Sequence, residues 1–137
     1  MQDKAPRLEL KELECAFDGM AAVDGVSLVL EPGQVTCLLG PSGCGKSTTL
    51  RMAAGVERPS AGEVWIDGRM VAGPGVHLPP EKRGIGMMFQ DFALFPHLTA
   101  SQNVAFGIKG GDPARVQDLL GRVGLADKGH KYPHQLS

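Results

Sequence analysis

The chain has 137 residues, enough for one domain or for part of a larger one. Its 14 Lys and Arg against 15 Asp and Glu leave a formal charge of -1, which excludes attachment to nucleic acid or anionic lipid by bulk charge alone. An apolar fraction of 42% excludes simple disorder, and no run approaches the roughly 18 apolar residues of a membrane-spanning helix. Cys15, Cys37 and Cys44 form no CxxC pair, and an odd count suits no disulfide framework. With a charged opening, Met1-Gln2-Asp3-Lys4, that lacks a signal-peptide pattern, the expectation is a soluble chain in the reducing cytoplasm.

In chain order, Leu8, Leu10, Leu13, Ala16 and Phe17 make an apolar segment ending at the turn signal Asp18-Gly19, and Val23 to Leu30 follows with partial alternation. These predict two strands of an antiparallel unit. After the Glu31-Pro32-Gly33 turn, Val35 to Leu39 has the length and composition of a buried strand. Gly40 to Gly45 reads as a loop and Lys46 to Ala54 as a helix with Leu50, Ala53 and Ala54 inward, closed by Gly55. Gly62 to Gly68 predicts another strand with an Asp-Gly turn, and Gly73 to Pro80, rich in proline, an irregular connection. Ile85 to Phe89 reads as a core strand in which Met87 and Met88 pack, and Phe92 to Thr99 as a loop. Ser101 is placed to cap a helix through Gly107, and Pro113 to begin another through Val123. The pattern is mixed α/β, with helices gathering in the last third.

Gly40-Pro41-Ser42-Gly43-Cys44-Gly45-Lys46-Ser47 matches G-x-x-x-x-G-K-[ST]. Glycines let such a loop curl until successive N–H groups face one concavity, where they bind phosphate oxygens. The helix that follows aims its positive end at the same place. Lys46 supplies a point charge to the β- and γ-phosphates, and the Ser47 hydroxyl is placed to ligate Mg2+. An apolar run before the loop and a helix after it are the context that the chemistry requires. This is a nucleotide-phosphate site, and the motif alone leaves kinases, GTPases and transport ATPases open. Cys44 reads as a small side chain at a variable loop position rather than a redox group. His77, His97, His130 and His134 have no metal-ligand spacing.

The filling of the motif, with Thr48-Thr49-Leu50-Arg51 after it, resembles the Walker A segment of ABC-type ATPases. Val26-Ser27-Leu28 with Pro32-Gly33, and Gly62-Glu63-Val64 with Asp67-Gly68, are similar to that family's flanking strands. Gly86-Met87-Met88-Phe89-Gln90-Asp91-Phe92-Ala93-Leu94-Phe95-Pro96-His97-Leu98-Thr99 resembles the Q-loop and its extension in ABC importers, and His134-Gln135-Leu136-Ser137 the start of the signature. The resemblance implies a P-loop ATPase α/β core with an antiparallel β subdomain over about residues 1–100 and the beginning of a helical subdomain over about 101–137. It implies that Phe17 stacks on adenine and that Gly40, Pro41, Ser42, Gly43, Cys44, Gly45, Lys46, Ser47 and Thr48 hold the phosphates of ATP. Ser47 and Gln90 would serve Mg2+, with Gln90 also sensing the attacking water. Phe92, Phe95 and His97 would lie near the surface that receives a membrane subunit, and Ser137 would reach ATP on a second copy.

By the same resemblance the parent protein is an importer ATPase at the cytoplasmic face of the inner membrane. It would work as a head-to-tail dimer with transmembrane permease subunits, and indirectly with a solute-binding protein. Iron(III) is the first choice of solute, beside thiamine, polyamines and sulfate. The alternatives are a soluble ABC ATPase acting on nucleic acid or ribosomes, a cassette that binds without hydrolysing, and a P-loop GTPase or kinase outside the family. Since the signature breaks off at Ser137, before Walker B, the catalytic glutamate and the switch histidine, the expectation is a fragment that is poorly stable and hydrolyses ATP negligibly alone.

Overall fold

The computed structural model describes residues 4–91 and 93–136, in two units, residues 1–87 and 88–137. In the first unit the apolar segments form a five-stranded antiparallel sheet in the order β2-β1-β3-β4-β5. The strands are β1 Leu8–Phe17, β2 Met20–Leu30, β3 Ala61–Ile66, β4 Arg69–Gly73 and β5 Val76–His77. Both Asp-Gly turns act as expected. Asp18 and Gly19, and likewise Asp67 and Gly68, all have positive φ, as two-residue hairpin turns matching the strand twist demand. Between Gly73 and Pro80, expected to be wholly irregular, Pro74-Gly75 makes a third tight turn that pairs Gly73 with Val76.

A bulge explains the uneven spacing of Leu8, Leu10 and Leu13. Between the pairs Leu10 with Leu28 and Leu13 with Val26, two residues of β1, Lys11 and Glu12, face one of β2, Ser27, and Glu12 has φ 45°. The extra residue reverses the side-chain phase, so Leu10 and Leu13 both enter the core, 2% and 0% exposed. Ser27 holds the bulge: its Oγ accepts from the Glu12 N–H at 3.0 Å and donates to Glu12 Oε1 at 2.9 Å. Opposite the bulge stands Gly62, φ 90°, where any Cβ would overlap the Glu12 carbonyl oxygen.

Helix α1, Lys46–Ala54, packs Met52 and Ala53 against Leu10, Leu13, Val23 and Val64 of the sheet. Its buried residues are Thr49, Met52, Ala53 and Ala54: Ala53 and Ala54 face inward as expected from sequence, whereas Leu50, expected beside them, lies outside, 53% exposed. Gly55, φ 91°, ends the helix as predicted, donating to the Arg51 and Met52 carbonyls.

Two expected strands are not formed. Residues 35–39 have no regular structure, and Val35 and Leu39 are 89% and 91% exposed. Residues 85–89 are equally irregular, and Met88, expected to pack, is 97% exposed, whereas Met87 is half-buried. A buried strand needs a ladder on each side, and among the described residues every strand is already committed to the antiparallel sheet.

A buried side chain ties this unit together. Arg83, 5% exposed, donates from Nε to the Leu78 carbonyl at 2.7 Å and from Nη1 to the Met52 and Ala53 carbonyls at 2.9 and 3.2 Å. Nη2 reaches the Val71 carbonyl at 3.3 Å and lies 3.5 Å from His77 Nδ1. Desolvation pulls the arginine pKa below its ordinary value.

In the second unit, helices α2 (Ala100–Phe106) and α3 (Pro113–Arg122) enclose a small core of Ala100, Val116 and Leu120. The N-cap of α2 is Thr99, not the expected Ser101. The Thr99 Oγ1 accepts from the Gln102 N–H at 3.3 Å, and the Gln102 side chain accepts from the Thr99 N–H at 2.8 Å, a reciprocal capping box. Helix α3 begins at Pro113 as predicted, with Asp112 Oδ1 accepting from the Ala114 N–H at 3.0 Å.

Two outcomes follow for stability. Thr99→Ala should cost about 1 kcal/mol in urea denaturation, while Ser101→Ala should stay within about 0.5 kcal/mol. At His77, desolvation first, then Arg58 and Arg83, lowers the pKa, against a smaller raising effect of the Gly55 backbone. The unfolded chain therefore takes up that proton at a higher pH than the folded one. Stability should fall as pH drops below about 6.5, and His77→Gln should flatten the loss of urea midpoint between about pH 7 and pH 5.

Candidate functional site

The loop from Gly40 to Gly45 joins the irregular segment 33–39 to α1, and two backbone features shape it. Gly43 and Gly45 have φ of 81° and 90°, a left-handed conformation that curls the chain and that side chains resist. Gly45 is also the N-cap of α1 and passes so close to β2 that a Cβ would overlap the Ala22 carbonyl oxygen and lie 3.0 Å from Val23 Cγ2. Only glycine lets the helix start there.

As a consequence, no side chain caps α1, and its first turn holds no acidic residue. The Thr49 Oγ1–H and N–H donate to the Gly45 carbonyl at 2.8 and 2.9 Å, so the first helical bonds turn inward. The positive end of the macrodipole is left uncompensated, which suits an anion. Ser47 is exposed on this first turn.

Lys46 folds back over the loop. Its Nζ donates to the Gly40 carbonyl and, at 2.8 Å, to the Pro41 carbonyl, and lies 3.5 Å from Cys44 Sγ. The Cys44 N–H donates to the Pro41 carbonyl at 3.3 Å, closing the loop. An ammonium held only by neutral acceptors, carbonyls and a thiol sulfur, is a cation at the mouth of the turn. Cys44 and Cys37 are exposed, and Cys15 is a buried core residue whose pKa is raised by desolvation and by Glu57.

Phe17 closes β1 beside the Asp18-Gly19 turn, pairs with Met20 and is 47% exposed. The strand that continues from Met20 passes Gly45 at Ala22, so Phe17 and the loop share one end of the first hairpin. In the second unit Gln90 is exposed on irregular backbone. Phe95 stacks within that unit on His97, with ring centroids 5.9 Å apart, and on Phe106 at 4.6 Å. Phe92 and Ser137 lie outside the described residues.

Two residues escaped the sequence reading. Arg83 stands in the sequence between a proline pair and a glycine with no motif around it, and only the fold buries it. Asn103, inside a predicted helix, fixes the turn before α2: its Oδ1 accepts from the Phe95 N–H at 2.9 Å. Its Nδ2 donates to the Phe95, Leu98 and Thr99 carbonyls at 3.0 to 3.1 Å. An amide four residues after Thr99, within reach of the turn that precedes the helix, was the available signal.

No helix among the described residues is long and apolar enough to cross a membrane. Comparison with known proteins gives the family. The family described as ABC transporter matches residues 23–137. The chain is 47% identical over 138 residues to the putrescine transport ATP-binding protein PotG of Escherichia coli (strain K12), covering 96% of this chain and 36% of that protein. It is 45% identical over 136 residues to the spermidine/putrescine import ATP-binding protein PotA of Nitrosospira multiformis, covering 95% and 36%. Among solved structures it resembles a dimeric, post-hydrolysis state of the ATP-binding cassette MJ0796 bound to ADP and Pi. That likeness has a TM-score of 0.78 at 28% identity, over 95% of this chain and 63% of the other. The chain thus spans about 36% of the length of these curated relatives, at their N-terminal side. It belongs to the ABC transporter family, and its fold is that of part of the family's P-loop ATP-binding domain.

Proposed function

We propose that the chain provides the nucleotide-binding part of an importer's ATP-hydrolysing subunit, with turnover a property of the whole protein. The observation that carries this reading is the uncapped N-terminus of α1 with Lys46 held over the loop by neutral acceptors, two carbonyls and the Cys44 sulfur. Phosphate oxygens are stronger acceptors than neutral carbonyls, so Lys46 exchanges the Gly40 and Pro41 oxygens for the β- and γ-phosphates of ATP. The residues Gly40, Pro41, Ser42, Gly43, Cys44, Gly45 and Thr48 wrap those phosphates, each except Pro41, which has no N–H, offering a backbone donor. Phe17, exposed at the hairpin end, offers a π-face to the adenine.

The residues fit Mg2+ as well: the Ser47 hydroxyl stands on the first turn free of an acidic neighbour, and Gln90 supplies a second oxygen ligand in this proposal. When bound, the ion would neutralise phosphate charge. Gln90 would also orient the attacking water and, with Phe92, Phe95 and His97, face the permease. A second copy would complete the site through the segment reaching Ser137. In this proposal the domains divide near residue 100, and the protein sits on the cytoplasmic face of the membrane.

The names of the relatives support a polyamine as the solute, and neither relative described above names iron(III). Cargo uptake in a strain lacking its own polyamine importers, compared with iron(III) uptake, separates the two.

Two outcomes test the site. Lys46→Ala should weaken ATP binding at least about tenfold by isothermal titration, the loss expected for a charge-assisted contact; unchanged affinity would sink the reading. Gly45→Ala should abolish binding because its Cβ overlaps the β2 backbone. Gly43→Ala, where nothing lies within 4 Å, should cost only about 1–2 kcal/mol of backbone strain and keep measurable affinity.

A further inference from the structure

We infer that Arg83 is a positioning residue for the phosphate loop, acting through α1 on Lys46 at the opposite end of the helix. The inference rests on the ATP-binding reading above and adds a residue outside the nucleotide-binding motif.

The geometry is that of a clamp. One guanidinium, 5% exposed, holds the Met52 and Ala53 carbonyls of α1, the Val71 carbonyl of β4 and the Leu78 carbonyl of the segment after β5. Among the described residues it meets no carboxylate; its hydrogen bonds go to backbone carbonyls, with His77 Nδ1 at 3.5 Å from Nη2, and fix the relative placement of three elements. The last carbonyls of a helix carry the negative end of its dipole, and a buried cation is drawn to that point. Gly55 makes the room: a Cβ there would lie 2.6 Å from Arg83 Nε. The glycine that ends the helix is therefore also the notch that admits the clamp.

The other end of α1 has no equivalent fastening. Its N-terminus has no side-chain cap and rests on the close passage of Gly45 over β2. A nine-residue helix is about 13 Å long, and a tilt of about 10° at the clamped end would move its first turn by roughly 2 Å. Displacements of that size matter for contacts that must meet phosphate oxygens at hydrogen-bond distance. Burial of an unpaired cation is costly, and an apolar side chain would fill the space at lower cost. What an apolar side chain cannot do is hold four carbonyls at fixed angles. A lysine cannot either, since its single ammonium lacks the planar fork.

The experiment measures ATP affinity and melting temperature in the full chain for wild type, Arg83→Met, Arg83→Lys and each combined with Lys46→Ala. Titrations are run well below each variant's melting temperature, so that only folded protein is read. Arg83→Met should weaken ATP binding about tenfold in the folded protein, and Arg83→Lys should weaken it also. In the Lys46→Ala background both effects should shrink, because the group being positioned has gone. Where Arg83→Met does not fold, Arg83→Lys alone carries the same comparison. Wild-type affinity in the arginine variants, with only the melting temperature lowered, would overturn the inference, as would an effect undiminished without Lys46. A wild-type chain with no affinity for ATP would overturn the functional reading and this inference with it.

Discussion

Helix α1 starts where its backbone passes over β2 with no space between them for a side chain, and much of the first unit follows from that approach. The residue there must be glycine, and it takes φ 90°, which excludes an ordinary capping side chain. Without a Ser, Thr or Asp at that position, the first-turn N–H groups keep their capacity for an outside acceptor. Steric crowding at one point of the sheet thus becomes anion affinity at the mouth of the loop. The same contact ties the loop to the first hairpin, so Phe17 and the phosphate loop cannot drift independently.

Charge is distributed along α1 in the sense that its dipole requires. The first turn holds Lys46 and no acid, which would be unfavourable for an isolated helix. The last turn has Arg51, and the terminal carbonyls receive Arg83. The C-terminal end is neutralised twice, while the N-terminal end carries positive potential and a cation together. A helix built for stability alone would have the opposite first turn. The imbalance is relieved by an anion.

Turns were more legible in the sequence than packing. Asp18-Gly19, Asp67-Gly68 and Gly55 were readable because each encodes a backbone conformation in one or two residues, and the curled loop before α1 because its glycines stand at fixed spacing before Lys46 and Ser47. In α1, Ala53 and Ala54 face inward as expected, but Leu50 does not: Thr49 turns inward instead by bonding its hydroxyl to the Gly45 carbonyl. The cap of α2 was misplaced by two residues because Thr99 and Ser101 are chemically equivalent; Gln102, three residues after Thr99, decides between them through the reciprocal bond. The spacing of Leu10 and Leu13 fits neither strand nor helix until the Glu12 bulge is known, and bulges depend on the partner strand.

The strands expected at 35–39 and 85–89 expose the deeper reason. A hairpin or a loop–helix unit satisfies its backbone within some thirty residues, so its sequence can specify it without help. A strand of a parallel sheet borrows every hydrogen bond from chain far away, and its apolar composition describes the burial such neighbours would give it. Val35, Leu39 and Met88 are apolar and yet among the most exposed side chains here. The phosphate loop does not share that dependence. It is anchored by Gly45 on β2, and its helix by Arg83 on β4, both elements of the antiparallel sheet. The loop and the start of α1 are therefore set by local contacts that the first unit supplies by itself, while the apolar runs on either side depend on contacts that a local reading of sequence cannot supply.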